Sequence, residues 1–177
     1  LLPLPRAVWG RFRLLGSSGM LLHNGLLFKG LEYTTASAAS IILALVAIQV
    51  IVLDWLLYRI RPSVAGMAGV VFGFAGAVLV ITQGDLSSVL ELEFGGGEIL
   101  IFFSALSWAL YSVLGRDVLV EHSALMVTTW ATVFGVILLL PFLFYQPSLT
   151  LQVYSNGEAL LMIGFLGFVG AALAFLW

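Results

Sequence analysis

Six apolar stretches of about membrane-spanning length divide this sequence, and a soluble fold has no place for them. A helix that crosses the hydrocarbon core of a bilayer needs about 20 largely apolar residues, each advancing it by ~1.5 Å. The predicted spans are Leu14–Leu31, Ala36–Leu57, Val64–Thr82, Glu98–Leu114, Ala124–Tyr145 and Ala159–Trp177. The fourth is the shortest and can extend to Leu119 with Arg116 and Asp117 at the interface. All six are too long and too weakly alternating for buried strands. Composition agrees, because 62% of the 177 residues are hydrophobic and only 9% are charged. A soluble domain carries about 25% charged residues to make its skin. The expected fold is therefore an all-α polytopic membrane protein with about six transmembrane helices. The lipid bilayer is its first expected partner.

Charge placement orients the spans. With the Leu1 end in the cytoplasm, the loops on that side carry Arg6, Arg11, Arg13, Arg59, Arg61 and Arg116. The opposite loops carry Asp85, Glu91, Glu93 and Glu158 and no cation. That is the positive-inside pattern, and one missed or false span would scramble it. Lys29, near the outer end of the first span, is the exception. A net charge of −2 excludes a nucleic-acid partner, which needs a basic face. With no cysteine there are no disulfides, thiolate metal sites or cysteine nucleophiles. The chain starts at Leu1 without a signal peptide and stops inside an apolar run, so both ends read as cut.

The longest connection, QGDLSSVLELEFGGGE, is rich in Gly, Ser and acid and marks the expected boundary between two units. Helix packing is written in small residues. Gly66, Gly69, Gly73 and Gly76 fall on one face of the third span and contain a GxxxG step, which lets helices approach closely in lipid. Gly164 and Gly167 offer a similar face in the sixth span, and Gly16 and Gly19 stand at a matching spacing in the first. The runs GSSGMLLHNGLLF and GFLGFVGAALAFL align weakly but enter the membrane from opposite sides, as an inverted repeat would.

Polar groups inside hydrocarbon face a bundle interior or a water-filled cavity, which makes them candidates for function. His23 and Asn24 sit mid-span, where they either bind substrate or a proton, or join two helices by hydrogen bonds. Lys29 either binds an anionic group or pairs with Glu32 at i+3. Gln49 either lines a cavity or bonds across helices. Asp54 is expected to pair with Arg59 or Arg61 in the next loop. Ser104, Ser107, Trp108 and Tyr111 share one helical face by 3–4 spacing, suited either to a wall for organic molecules or to packing. Pro141 is expected to kink the fifth span. No HExxH or intramembrane acid pair is present, and Gly95–Gly97 lacks the ending of a phosphate loop and reads as a flexible lead. The expectation is a protein without enzyme activity, cofactor or metal.

The order of these motifs has a precedent. GLEYTTASAASIILAL followed by GMAGVVFGFAGAVLVI resembles the first repeat of the EamA-type family in the drug/metabolite transporter superfamily. GGGEILIFFSALSWALYSVLGRD and GFLGFVGAALAFLW resemble the first and third helices of that family's second repeat. The resemblance covers the chain from about Leu14 to Trp177. It implies a ten-helix bundle of two inverted five-helix repeats, of which residues 1–82 hold the end of the first. Residues 83–97 would be an extracytoplasmic linker and 98–177 the start of the second. It also implies alternating-access transport of small metabolites, such as amino acids or their derivatives, across the cell membrane. Export, proton coupling and a homodimer belong to the same expectation. The chain departs from the family in having Val46 and Ala47 where a mid-helix proline is common. It also has Tyr58 and Arg59 where a glutamate often precedes the fifth helix. The competing reading is a membrane-embedded scaffold or small integral enzyme without transport.

Overall fold

The computed structural model describes residues 9–85, 95–143 and 156–165. Every regular element among them is helical. The first span comprises α1 (Trp9–Leu15), a π-helical segment (Gly16–Leu22) and α2 (His23–Leu31). It is followed by α3 (Ala36–Ala44), α4 (Val46–Tyr58), α5 (Val64–Ile81), α6 (Gly96–Glu121), α7 (Ala124–Leu143) and α8 (Gly157–Phe165). Four helices among the described residues are long and apolar enough to cross a membrane: Ala36–Tyr58, Val64–Ile81, Gly96–Glu121 and Ala124–Pro141. The molecule is an all-α polytopic membrane protein. The later part of the sixth predicted span, with Gly167, and most of the long linker lie outside the described residues.

Several boundaries differ from the sequence expectation for local reasons. The first span is already helical at Trp9, ahead of the expected Leu14, and its middle widens into a π-helix. There the His23 N–H bonds to the Ser18 oxygen, five residues back. The second span runs from Ala36 to Tyr58 as expected but pinches at Leu45, where the N–H turns to the Ile42 oxygen in a tight i→i−3 bond of 3.0 Å. No proline or glycine stands there, so no breaker in the sequence announces it. Gly96 and Gly97 are not a flexible lead but the first turn of α6. They are fixed because Glu98 accepts from the Gly95 N–H at 2.8 Å, as an acid three residues past a cap can. The α6 helix then runs to Glu121, past the expected Leu119. Its α7 neighbour continues through Pro141 to Leu143.

Long α6 is the centre of the described bundle. It packs on the first span, on α3 and on α4, while the π segment lies against α7. Two apolar clusters brace it. Toward one end, Phe12 and Leu15 meet Val118, Val127 and Ala131. Toward the other, Ala39, Ile42 and Ile101 close around Leu27 and Leu45. Lipid removes most of the hydrophobic drive between helices, so fit decides which faces meet. Glycines provide that fit. A Cβ on Gly16 would lie 2.8 Å from the Ala131 oxygen, and one on Gly135 would lie 2.2 Å from the Met20 Cβ. One on Gly97 would lie 2.9 Å from the Tyr33 carbonyl carbon.

Charge separates the two ends. At one end Arg11 pairs with Glu121 at 3.3 Å, Arg116 with Asp54 at 2.8 Å, and the Tyr58 hydroxyl donates to Asp117 at 2.6 Å. The opposite end holds the Lys29–Glu32 pair and the Thr34 hydroxyl, which donates to Glu98. Asp54 therefore pairs with Arg116 on α6, not with Arg59 or Arg61 of its own loop. The α4 helix lies against α6, so its acid meets that helix's arginine before the loop's.

Candidate functional site

Between the two apolar clusters lies a polar and aromatic one. Ser104, on α6, is fully buried, and its hydroxyl donates to the His23 main-chain oxygen at 2.9 Å. The His23 Nδ1 lies 3.0 Å from that hydroxyl oxygen and 3.1 Å from the Ser104 main-chain oxygen. The imidazole rests on Trp108 with ring centroids 4.8 Å apart, and Trp108 rests on Tyr111 at 5.2 Å. Ser104, Trp108 and Tyr111 share a face because helical spacing of three and four residues stacks them. They lie about 12–22 Å from the Gly96 end of a helix advancing ~1.5 Å per residue, so the cluster sits in the middle of the span.

The first span is shaped to bring His23 there. The π segment just before His23 adds a residue to the turn and resets which side chains face α6. Ser17 and Ser18 hydroxyls return to the Leu14 oxygen at 3.0 and 2.8 Å and help to satisfy the wider turn. Gly19 lets the Tyr111 ring lie on the backbone, since a Cβ there would be 2.5 Å from the ring. Sequence spacing alone gives no sign of the π segment.

The remaining candidates separate. Gln49, on α4, is buried, and its Nε2 reaches the Phe102 main-chain oxygen at 3.5 Å, the outer limit of a hydrogen bond. Its Oε1 is buried with no hydrogen-bond partner among the described residues. Asn24 turns its amide to the Met20 oxygen at 2.9 Å, a bond within its own span. Lys29 forms an exposed pair with Glu32 at 2.6 Å and lies 5.1 Å from the Tyr33 ring centroid. Among the described residues the glycine face of α5 meets nothing: a Cβ added at Gly69, Gly73 or Gly76 would have no neighbour within 4 Å, and one at Gly66 would meet only its own cap, Ser63. Gly164 is likewise open among the described residues.

Two groups escaped the sequence reading. Glu98 is a buried carboxylate that ties α6 to the Thr34 turn. Its position three residues after Gly95 was the available signal. Gly135 is the counterpart of Gly16, and no glycine pattern marks it. Clefts open away from His23. One of about 500 Å³ lies between α3 and α5, lined by Thr35, Ser37, Thr82 and Asp85. Another of about 320 Å³ runs along Ile42, Leu45, Glu98 and Phe102.

The arrangement places an imidazole against two stacked aromatic rings near the middle of the α6 helix. A family model described as the EamA-like transporter family matches residues 1–82 and 95–177. An uncharacterized transporter of Bacillus subtilis, YyaM, is 32% identical over 92% of this chain and 53% of its own length. An uncharacterized transporter of Archaeoglobus fulgidus is 33% identical over 76% of this chain and 45% of its own. The chain thus spans about half the length of these curated relatives. No solved structure matches. With both halves of the sequence matched, the chain belongs to the EamA-like transporter family.

Proposed function

We propose that the protein is a secondary carrier that exports small organic solutes, such as amino acids or their derivatives, across the cell membrane. The observation that carries this is the His23–Ser104–Trp108–Tyr111 cluster. It joins the first span to α6 at mid-depth, and the two elements belong to the two separate family matches. Polar groups held at that depth, at the meeting of two repeats, are where carriers of this plan bind their cargo. On this reading residues 1–82 end one repeat, 98–177 begin the next, and the two rock about the cluster to give alternating access. The arginine-bearing end faces the cytoplasm. Gln49 lines the same path from α4, and Lys29 stands at its outer mouth. Proton coupling and a homodimer complete the proposal.

Reconstituting the full-length protein in proteoliposomes and offering a panel of amino acids and amines under an imposed proton gradient tests it. The expected result is saturable solute movement that reverses with the gradient and falls about tenfold or more in His23→Ala, the loss of roughly 1.4 kcal/mol of binding. Movement of no solute, or full activity in His23→Ala, would remove the proposal. The mass of the lipid-embedded particle tests the dimer.

A further inference from the structure

His23 is pinned at one ring nitrogen and open at the other. A carbonyl oxygen can only accept, so the Nδ1 that lies 3.1 Å from the Ser104 main-chain oxygen carries a proton. The Ser104 hydroxyl directs its own hydrogen to the His23 main-chain oxygen, 2.9 Å away. Toward Nδ1, at 3.0 Å, it therefore also accepts. Both partners select the same tautomer, in which neutral His23 carries its lone pair on Nε2. Among the described residues no hydrogen bond to Nε2 is formed.

That fixes the chemistry of what the ring can meet. A neutral imidazole held this way can only accept at Nε2, so the matching solute group is a donor. A carboxylate would set lone pair against lone pair. The Trp108 and Tyr111 rings beside the imidazole carry negative π faces, Tyr111 lying partly on Gly19, and such faces favour a cation. No carboxylate or cation touches His23 among the described residues. On its own span Lys29 is held by Glu32, and Arg11 and Arg13 lie toward the other end. On α6 the titratable groups are Tyr111 within the cluster, Glu98 at one end, and Arg116, Asp117 and Glu121 at the other. The α3 and α7 helices carry none, and α4 carries Asp54 and Tyr58 at the arginine-bearing end.

We propose that His23 Nε2 accepts the amine end of the carried solute, that Trp108 and Tyr111 take up its positive charge, and that a proton competes for the same lone pair. This deepens the carrier reading above and rests on it. When the ring takes a second proton, Nε2 becomes a donor and repels the amine. When the amine binds, the lone pair is engaged and the proton is excluded. One atom thus exchanges one proton for one amine, with no bond made or broken beyond that N–H.

The test is nitrogen NMR of isotope-labelled histidine in the full-length protein in bilayers, with His23→Gln assigning the signal. Phenethylamine and 3-phenylpropionate serve as probes. The expected result is the Nδ1–H tautomer while the ring is neutral. Phenethylamine then shifts the Nε2 resonance and phenylpropionate does not. Acidifying until the ring is doubly protonated weakens phenethylamine about tenfold or more. Should His23→Gln fail to fold, Ser104→Ala supplies the assignment by mixing the two tautomers. An Nε2–H tautomer, a response to phenylpropionate, or an amine affinity indifferent to ring protonation would overturn the proposal. The carrier reading fails separately: proteoliposomes that move nothing, with tautomer and amine response intact, overturn that reading alone. A carrier that moves phenylpropionate as well as phenethylamine overturns the amine assignment alone.

Discussion

Gly16 and Gly19 in the first span stand three residues apart, as do Gly66 and Gly69 or Gly73 and Gly76 in α5. The surroundings are opposite. A Cβ on Gly16 or Gly19 would meet α7 backbone or the Tyr111 ring below 3 Å, whereas Gly69, Gly73 and Gly76 have nothing within 4 Å. The first span is clamped between α6 and α7, while α5 has no residue buried by the described part of the chain. Small residues permit close approach, but a partner of the right shape creates it. In the first span that partner is Gly135 and the flat Tyr111 ring. The clamp is therefore the part of the molecule that holds His23 in place, and α5 is the part with packing capacity to spare.

Substitutions can break or sharpen this contrast. The largest effect is expected at Gly135→Val, where a Cβ would lie 2.2 Å from the Met20 Cβ and no flexible end can yield. The loss should be about 3 kcal/mol, the upper range for overpacking, measured by unfolding in lipid. Gly19→Ala should cost less, about 1–2 kcal/mol, because the Tyr111 ring can tilt away. That tilt disturbs Trp108, so an altered tryptophan emission should accompany it. Gly73→Ala should be the mildest, neutral or stabilising by about 0.5–1 kcal/mol, since an open helical glycine gains from a side chain. A cost at Gly73 equal to that at Gly19 would mean that α5 is clamped as well, and the contrast would collapse.

The helices were legible because lipid demands long apolar runs, and Ser104, Trp108 and Tyr111 could be placed on one face by spacing alone. Four features were hidden for physical reasons. The pinch at Leu45 stands at no breaker residue, and at Gly16–Leu22 the Gly and Ser residues permit a π turn without announcing one. Asp54 has two arginines nearer in sequence, yet Arg116 reaches it because α4 lies against α6. The bond between His23 and Ser104 spans 81 positions, and no periodicity within one helix reveals a contact between two.

Reactivity of a single cysteine beside His23 tests the central claim most directly. This chain contains no cysteine, so Asn24→Cys introduces a thiol one position along the span from His23 with no native one to confuse the signal within these spans. In the full-length protein in vesicles, with any cysteine elsewhere replaced, a membrane-impermeant thiol reagent should label that position. Saturating solute should protect it. A thiol that stays unlabelled from both sides of the membrane, or one labelled equally with and without every solute tried, would contradict a solute path through the His23 cluster.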